Sequence, residues 1–198
     1  MSRSLAIRCF AGRDAIDYFD DLARLRIAVF RDFPYLYDGD SDYEREYMET
    51  YARSDGSVFV LVFDGNTIVG ASTGTPMSVE TDEVKGPFLA AGYDPARFFY
   101  FGESVLLPAY RGHGVGLRFF EEREAQARRL GLAYCAFCAV ERPLDHPRRP
   151  PDYQPLDAFW RKRGYTHHPE LRTTFNWRDL DEPKESPKPL SFWIRKIA

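Results

Sequence analysis

The chain has 198 residues, 44% of them hydrophobic and 29% charged, so it can bury one substantial core and is expected to form a single domain over residues 1–198. Its 27 basic and 30 acidic side chains give a formal net charge of −3, which supplies no general field for holding a polyanion and excludes nucleic acid as an expected partner. The longest apolar run, Val58 to Phe63, is too short to span a bilayer, so we expect a cytoplasmic protein without a membrane partner.

The N-terminal part of the chain predicts a strand followed by two helices. Leu5 to Phe10 alternates weakly between apolar and polar residues and indicates an opening strand. Asp14 is placed to cap a helix whose apolar positions recur at helical spacing as far as Phe30. Ser41 is placed to cap a second helix that ends near Arg53.

A hairpin and then alternating strands and helices follow. Ser57 to Phe63 is a continuous β-branched and aromatic run, and the turn residues Asp64-Gly65 separate it from a second strand. Beyond the hairpin we predict a strand, a helix, a strand, a helix and two short strands, at residues 98–107, 114–130, 132–140, 156–163, 173–177 and 190–197. The expected buried stripe of the longer helix is Leu117, Phe120, Ala127 and Leu130. This order predicts an α/β fold with a mixed sheet and helices on both faces.

The segment from Phe98 to Phe120 carries the strongest functional signal. An apolar strand runs into Pro108 and then into the basic, glycine-rich turn Arg111-Gly112-His113-Gly114-Val115-Gly116, which leads directly into a helix. The first turn of a helix has unpaired N–H groups and a positive dipole end, and glycines let a phosphate approach those groups. The sequence therefore predicts an anion site in which Arg111 adds a fixed positive charge.

Two common phosphate-binding motifs do not fit this turn. No Lys-Ser or Lys-Thr follows the glycines, as a nucleotide triphosphatase would require. A dinucleotide fingerprint belongs after the first strand of a doubly wound sheet, whereas three predicted strands precede this one.

The pattern Arg111-x-x-Gly114-x-Gly116, after a strand ending Leu106-Leu107-Pro108, resembles the pyrophosphate motif of the GNAT superfamily of acyl-CoA-dependent N-acetyltransferases. The later Gly164-Tyr165 pair is similar to the glycine-aromatic pair that closes a helix in that family. The resemblance implies a three-layer fold with a central, mostly antiparallel mixed sheet of about seven strands, and acetyl-CoA as co-substrate.

The resemblance also assigns coenzyme A contacts residue by residue. Backbone N–H groups from Gly112 through His113, Gly114 and Val115 to Gly116 would bind the pyrophosphate, with Arg111 as the charged contact. Leu106 and Leu107 would offer backbone groups to the pantetheine arm, and the thioester would lie where their strand diverges from the one containing Cys138. Trp160 would pack as an apolar wall near that arm.

Catalysis needs an amine in its neutral form, so a general base is expected. By resemblance, Glu103 is the leading base, directly or through water, and His146 is the second candidate; the structural alternative is that Glu103 only pairs with an arginine. Many family members have a general-acid tyrosine where this chain has Trp160, which cannot donate a proton. Either Tyr153 or another loop group replaces it, or the thiolate leaves unassisted.

The acceptor is expected to be a small-molecule amine or a protein or peptide amine. The segment between the first two helices often lines the acceptor pocket in this superfamily, and here it holds Phe33, Tyr35 and Tyr37, although packing of these rings on the sheet is an equally good interpretation. Both a monomer and a homodimer remain open. The alternative function is a non-catalytic acyl-CoA-binding module of the same fold.

No metal site is expected, because Cys9, Cys135 and Cys138 lack metal-ligand spacing and the pair His167-His168 lacks further ligands. Cys138 also has no partner at a motif distance that would make it a nucleophile, so we interpret it as a small apolar residue in a strand.

Overall fold

The computed structural model describes residues 5–198, so the predicted domain boundary at residue 1 lies outside the described residues. In that part of the chain the strands are β1 Leu5–Ala11, β2 Val58–Asp64, β3 Thr67–Pro76, β4 Phe98–Leu106, β5 Tyr134–Val140, β6 Thr166–Trp177 and β7 Ser186–Lys196. The α-helices are α1 Phe19–Phe30, α2 Ser41–Ala52, α3 Asp82–Ala90, α4 Val115–Arg129 and α5 Asp157–Lys162. None of the helices between residues 5 and 198 has the length and apolar character that a membrane crossing requires.

The strands form one mixed sheet in the order β1-β2-β3-β4-β5-β7-β6. Strands β4 and β5 pair in parallel, and every other neighbouring pair is antiparallel. The predicted α/β class and the mixed, mostly antiparallel sheet of seven strands are confirmed.

Helices cover both faces of this sheet. Strand β2 shows why its sequence is apolar throughout: Phe59, Leu61 and Phe63 pack in the cluster that contains α1 and α2, while the intervening valines pack in the cluster that contains α4. Burying one such side chain stabilises the fold by about 1.5–3 kcal/mol. Helix α3 covers the same face as α1 and α2, and α5 lies with α4 on the other.

Two predictions of helix caps were wrong. Asp14 does not cap an α-helix, because it lies within a 3-10 segment, Gly12–Tyr18, and α1 begins only at Phe19. The cap of α2 is Asp40 rather than Ser41, since the Asp40 carboxylate accepts hydrogen bonds from the backbone N–H groups of Asp42 and Tyr43. An aspartate one residue earlier therefore takes the role expected of the serine.

Helix α3 was not predicted, and α4 buries a different stripe from the expected one. Helix α3 is only nine residues long and contains Pro87, so its two apolar anchors, Val84 and Phe88, give a weak periodic signal. On α4, Leu117 and Leu130 are exposed at the two ends, and the buried residues are Val115, Phe119, Phe120, Arg123, Glu124 and Ala127. Because Arg123 and Glu124 are also buried on this face, the helical spacing of apolar residues in the sequence is interrupted.

Two irregularities in β4 shape the centre of the sheet. Pairing between β4 and β5 covers only Phe98 to Tyr100 on β4, so the two strands diverge beyond that point. The register between β3 and β4 shifts between Ser72 and Gly74, where Gly102 and Glu103 together oppose Thr73. Such a bulge adds a residue to one strand and changes the face to which the following side chains point.

Candidate functional site

The glycine-rich loop between β4 and α4 has a conformation that depends on glycine. Gly112 and Gly114 have φ angles of 81° and 79°, a region that residues with a side chain rarely adopt. A Cβ at either position would meet no atom within 4 Å, so the space beside both residues is open. The loop therefore exposes its backbone to any ligand that approaches the start of α4.

The backbone N–H groups of residues 112–116 lie in this loop and at the start of α4. Within residues 5–198, none of them donates a hydrogen bond inside the chain, and helical bonding starts with the N–H groups of Leu117 and Arg118, which both donate to the Gly114 carbonyl. No carboxylate of the described residues lies within ion-pair distance of Arg111, whose Nε donates to the Leu106 carbonyl at 3.2 Å. Free donors at a helix N-terminus beside an unpaired guanidinium form an anion site.

The end of β4 presents backbone groups to the gap beside β5. The N–H of Leu107 donates to the Val69 carbonyl, and its carbonyl accepts from Tyr110, so both backbone groups of Leu107 already bond within the chain. Because hydrogen-bonded and non-bonded pairs alternate in an antiparallel ladder, the backbone groups of Leu106 point away from β3 and towards β5. Leu106 can therefore offer its N–H to a chain-like ligand in the gap.

Trp160 on α5 packs at the same end of the sheet. Its ring lies 5.1 Å from that of Phe137 on β5 and 5.0 Å from that of Trp193 on β7. The indole is therefore held in an aromatic cluster on the α4 face, which fits an apolar wall and offers no acidic proton.

Glu103 is buried in an ion-pair cluster on the opposite face. Its Oε2 lies 2.6 Å from Nη1 of Arg26 on α1, and the Arg26 Nε also donates to the buried carboxylate of Glu44 on α2. One guanidinium is thus shared by two carboxylates, all three side chains being at least nine-tenths buried. Glu103 therefore pairs with an arginine, which was the structural alternative considered from the sequence. The cluster carries a net charge of about −1 if all three groups are ionised.

The β4 bulge determines where Glu103 points. Phe99 and Phe101, before the bulge, face α4, and without the extra residue Glu103 would continue that alternation; instead its side chain meets α1 and α2. The fully buried Arg123 of α4 holds the bulge from behind, donating to the carbonyls of Thr73 and Glu103 and to the Ser104 hydroxyl. Burial lowers the pKa of Arg123 to about 10, which still leaves it charged at neutral pH.

One predicted residue of the loop between α1 and α2 lies beside two predicted residues of the long loop after β5. The Phe33 ring lies 4.7 Å from the Tyr153 ring and 5.7 Å from the His146 ring. The guanidinium of Arg149 lies 4.8 Å from the Tyr153 ring centroid. Burial raises the pKa of Tyr153, so its hydroxyl keeps its proton at neutral pH.

The tautomer of His146 is constrained by its backbone surroundings. Its Nδ1 accepts a hydrogen bond from the Arg148 N–H at 3.2 Å, so the neutral ring carries its proton on Nε2. In this arrangement the lone pair of the neutral ring already accepts a hydrogen bond from the chain's own backbone.

Tyr35 and Tyr37 lie apart. Tyr35 is half-buried, and its pKa is raised by desolvation and then by its proximity to Cys138 and Tyr153. Tyr37 instead lines a separate surface groove of about 360 Å³, with Asp38, Asp40, Tyr43, Asn176, Trp177, Arg178, Pro183, Lys184 and Glu185. Burial, with the nearby Glu44 carboxylate, raises the pKa of Tyr37.

Arg142 links the loop between α1 and α2 to the segment just after β6. It donates to the carbonyls of Pro34 and Tyr35, each at 2.7 Å, and makes a two-pronged ion pair with Asp179. The sequence showed Arg142 only as the first basic residue of a proline-rich loop, and neither Arg26 nor Arg123 was singled out. The only sequence signal for these residues is a charged side chain at an otherwise apolar helix or strand position.

The thiol of Cys138 is not activated. Tyr100 and Cys138 lie 3.1 Å apart through their hydroxyl and thiol, and burial raises the pKa of Cys138 to about 12. A thiol that stays protonated at neutral pH is a poor nucleophile, which agrees with its interpretation as a small apolar residue. No group of three or more His, Cys, Asp or Glu side chains within residues 5–198 is placed to hold a metal ion.

A family model described as the acetyltransferase (GNAT) family matches residues 22–150 of this chain. No curated protein matches the sequence. The matched segment starts in α1 and ends in the loop after β5, so it contains the glycine-rich loop, Glu103 and Arg142.

Solved structures share the fold over nearly the whole chain. The ribosomal-protein-alanine N-acetyltransferase of Brucella melitensis has a TM-score of 0.60 at 13% identity, covering 97% of this chain and 99% of its own. The PaiA N-acetyltransferase of Thermoplasma acidophilum, solved with coenzyme A, has a TM-score of 0.57 at 12% identity, covering 98% and 99%. YncA of Salmonella typhimurium, solved with its cofactor acetyl-CoA, has a TM-score of 0.60 at 11% identity, covering 98% and 95%. At these identities the similarity establishes the fold alone.

Proposed function

The chain belongs to the GNAT family of acetyltransferases, and from this premise we propose that it moves an acetyl group from acetyl-CoA to a primary amine by direct attack of the amine on the thioester. The single observation that carries the proposal is the loop at residues 111–116. Its free N–H groups, its open space beside Gly112 and Gly114, and the unpaired Arg111 are suited to a pyrophosphate. The gap between β4 and β5 opens beyond Tyr100 and extends to the end of β4 that leads into this loop.

Alignment of the two substrates is the main task, because a thioester is already activated. The Leu106 backbone and the Trp160 cluster would hold the pantetheine arm in the gap. The acceptor amine would approach from the α1–α2 face, where Glu103, Tyr35 and the aromatic group of Phe33 and Tyr153 lie.

The amine must lose a proton before it attacks. For a lysine-like amine with a pKa of ~10.4, neutralisation at pH 7 costs about 4.6 kcal/mol. The buried cluster of Arg26, Glu44 and Glu103 has one more carboxylate than it has guanidinium groups, so it favours a cation and then accepts a proton from it. Glu103 is the member of that cluster on β4, and we assign it the role of base.

The leaving thiolate has two routes to neutrality. Tyr153 is the nearest predicted donor, and its raised pKa keeps a proton available. A thiolate of low basicity can also leave without assistance and take its proton from water. The position of Trp160 in an aromatic cluster fits either route, because neither requires a tyrosine on α5.

Acetyl transfer is tested by incubating the protein with acetyl-CoA and a panel of small amines, amino acids and peptides, and by measuring a mass gain of one acetyl group together with release of free thiol. The proposal expects amine-dependent thiol release. Tight binding of coenzyme A without transfer to any amine would instead support the non-catalytic acyl-CoA-binding module.

The coenzyme A loop is tested by a pair of matched variants. Gly114 and Gly92 have the same φ of 79°, and a Cβ at either position meets no atom within 4 Å. Gly114→Val and Gly92→Val should therefore lose similar stability, roughly 1–2 kcal/mol for a side chain in the left-handed region. Only Gly114→Val should also lose affinity for coenzyme A, by about tenfold or more, which corresponds to one charge-assisted contact.

Calorimetric titration with coenzyme A and chemical denaturation decide between the outcomes. Equal coenzyme A affinity in folded Gly114→Val and Gly92→Val proteins would remove the loop from the site. The Gly92 control is needed because the strain at Gly114 would by itself lower the amount of folded protein.

A further inference from the structure

A row of hydroxyl and carboxyl groups leads from Glu103 to the protein surface. The Tyr47 hydroxyl lies 3.3 Å from Oε2 of Glu103 and 3.1 Å from the Tyr51 hydroxyl. The Tyr51 hydroxyl in turn donates to Oε1 of Glu80 at 2.7 Å. Three hydrogen-bond steps therefore connect the buried carboxylate on β4 with a carboxylate just after β3.

The two ends of this row differ in exposure. Glu103 is 8% exposed and lies beneath α1 and α2. Glu80 is half-buried and lines a surface depression with Thr50, Tyr51, Ser54, Thr75 and Val79, of which Val79 is 52% exposed. A proton that reaches Glu80 can therefore pass to water, whereas a proton on Glu103 has no such direct exit.

The Tyr51 hydroxyl lies directly beside Gly102. A Cβ at Gly102, beside Glu103 in the bulge, would come within 2.5 Å of the Tyr51 hydroxyl and 2.6 Å of Oγ1 of Thr73. Tyr51 is 3% exposed and Thr73 is 2% exposed. Because Gly102 has no side chain, the buried Tyr51 hydroxyl fits against the bulge beside Glu103.

Both tyrosines keep their protons at neutral pH, since burial raises their pKa values well above the ordinary range. A hydroxyl can accept one proton while it donates another, so neither ring needs to become a stable tyrosinate. Arg26 stays charged beside Glu103, because its pKa is raised by the surrounding carboxylates.

We propose that Tyr47, Tyr51 and Glu80 form a proton exit path for the acetyl-transfer reaction, an inference that rests on the proposed function. Glu103 takes one proton from the acceptor amine. It then passes a proton to the Tyr47 oxygen while the Tyr47 proton moves to Tyr51 and the Tyr51 proton moves to the Glu80 carboxylate. Glu80 releases that proton to water, and rotation of the two hydroxyls restores the starting arrangement with Glu103 ionised.

The path is suited to a cluster that must turn over repeatedly. Glu103, which shares Arg26 with Glu44, accepts one proton in each reaction cycle. That proton must leave before Glu103 can deprotonate the next amine. Burial raises the pKa of Glu80, while the Tyr51 hydrogen bond opposes that rise. A terminal carboxyl group with more than its usual proton affinity can receive a proton from the interior and still release it near neutral pH.

The activity test compares three variants that interrupt the path with two controls. Tyr47→Phe, Tyr51→Phe and Glu80→Gln each remove one group of the path. Tyr93→Phe removes a hydroxyl near α3, and Glu46→Gln neutralises an exposed carboxylate on α2, the helix that carries both path tyrosines. Coenzyme A affinity and thermal stability are measured for all five, so that a folding defect is recognised.

The expected result is a fall in turnover of about tenfold or more at pH 7 for each path variant, since general-base catalysis is worth about a hundredfold or more, with both controls unchanged. Added imidazole should restore the Glu80→Gln enzyme, whose break is at the surface, more than Tyr47→Phe, whose side chain is partly buried. An active wild-type enzyme alongside path variants of unchanged turnover and pH profile overturns the path and leaves the proposed function intact.

A titration that needs no substrate tests the same connection. The groups facing Glu80 are Tyr51 and Tyr47 from α2, Glu103 and Tyr100 from β4, and Lys85 from α3. The Glu103 charge raises the pKa of Glu80 and the Tyr51 hydroxyl lowers it, so Glu103→Gln should lower the pKa of Glu80 and Tyr51→Phe should raise it.

Infrared titration of the Glu80 carboxyl band, assigned by its loss in Glu80→Gln, measures both shifts. If neither variant moves the band's titration, the groups are not connected in solution and the path is overturned whether or not an acceptor has been found. Failure of the wild-type protein to acetylate any amine would count against the proposed function instead.

Discussion

At the scale of single residues, the site depends on one guanidinium shared between two buried carboxylates. Arg26 contacts both Glu44 and Glu103, and its guanidinium also lies 4.4 Å from the Tyr47 ring centroid. Removing a buried ion's partner leaves an uncompensated charge, whereas removing an exposed ion's partner costs little. The position of Glu103 therefore depends on a residue of another element.

Arg26→Met should lower the free energy of unfolding by about 3–5 kcal/mol, because it leaves two carboxylates buried without a counter-ion. Arg24→Met on the same helix removes an ion pair with Asp21 in which both side chains are about half exposed or more, and should cost about 1 kcal/mol or less. Urea denaturation of both variants checks this difference. Similar losses in the two proteins would mean that water reaches the Arg26 cluster.

At the scale of elements, the loop between α1 and α2 is held by contacts from β6, from the segment just after β6 and from the long loop after β5. Leu36 has a φ of 57°, a conformation that strains a residue with a side chain and persists only where its surroundings hold it. The Leu36 carbonyl accepts from Leu180, and Arg142 and the Trp177 indole both donate to the Tyr35 carbonyl. Residues from the second half of the chain therefore fix the position of this loop.

Arg142→Gln should destabilise the protein by about 1.5–3 kcal/mol, the value of hydrogen bonds to a charged group. It should also raise the acceptor KM more than it lowers kcat, with coenzyme A affinity unchanged, because the loop lies on the proposed acceptor side. Arg178→Gln is the control, since Arg178 ties the same loop through Asp38 but is 47% exposed, and its loss should cost about 1 kcal/mol or less. Equal steady-state and denaturation results for the two variants would contradict the holding role of Arg142.

At the scale of the whole molecule, one sheet joins the coenzyme A loop to the proposed acceptor side. Helix α4 and the loop before it lie on one face, and α1, α2 and α3 lie on the other, with the gap between β4 and β5 in the middle. The strands of the two halves belong to a single sheet. Ligand binding at one loop should therefore stabilise the entire domain as a unit.

Thermal unfolding should show a single transition that coenzyme A moves upward. At a ligand concentration of about 100 Kd the stabilisation is about 2.7 kcal/mol. For a chain of this size that corresponds to a rise in Tm of roughly 5–10 °C. Differential scanning calorimetry of wild type, Gly92→Val and Gly114→Val checks it, since only Gly114→Val should show a smaller shift, about half of the wild-type value for a tenfold loss of affinity. Two separate transitions would contradict the single domain.

Some features could be predicted from the sequence because their signals are local. The phosphate loop needs glycines and an arginine within six consecutive residues, and the structure forms the predicted strand, turn and helix around them. Strand and helix order followed from the spacing of apolar residues along short segments. The divergence of β4 from β5 was implied by the family resemblance and not by that spacing. Helix α3 escaped prediction because its signal rests on only two apolar residues.

Other features depend on contacts between distant parts of the chain, and the sequence alone could not decide them. Whether Glu103 faces the acceptor side depends on the bulge opposite Thr73 and on Arg123 behind it, and whether it is paired depends on Arg26 in another helix. Tyr47, Tyr51 and Glu80 become neighbours of Glu103 only after α2 packs on the sheet. Local propensity chooses the elements, whereas burial, hydrogen bonding and ion pairing between elements choose which side chains meet, and the chemistry of the site belongs to that second step.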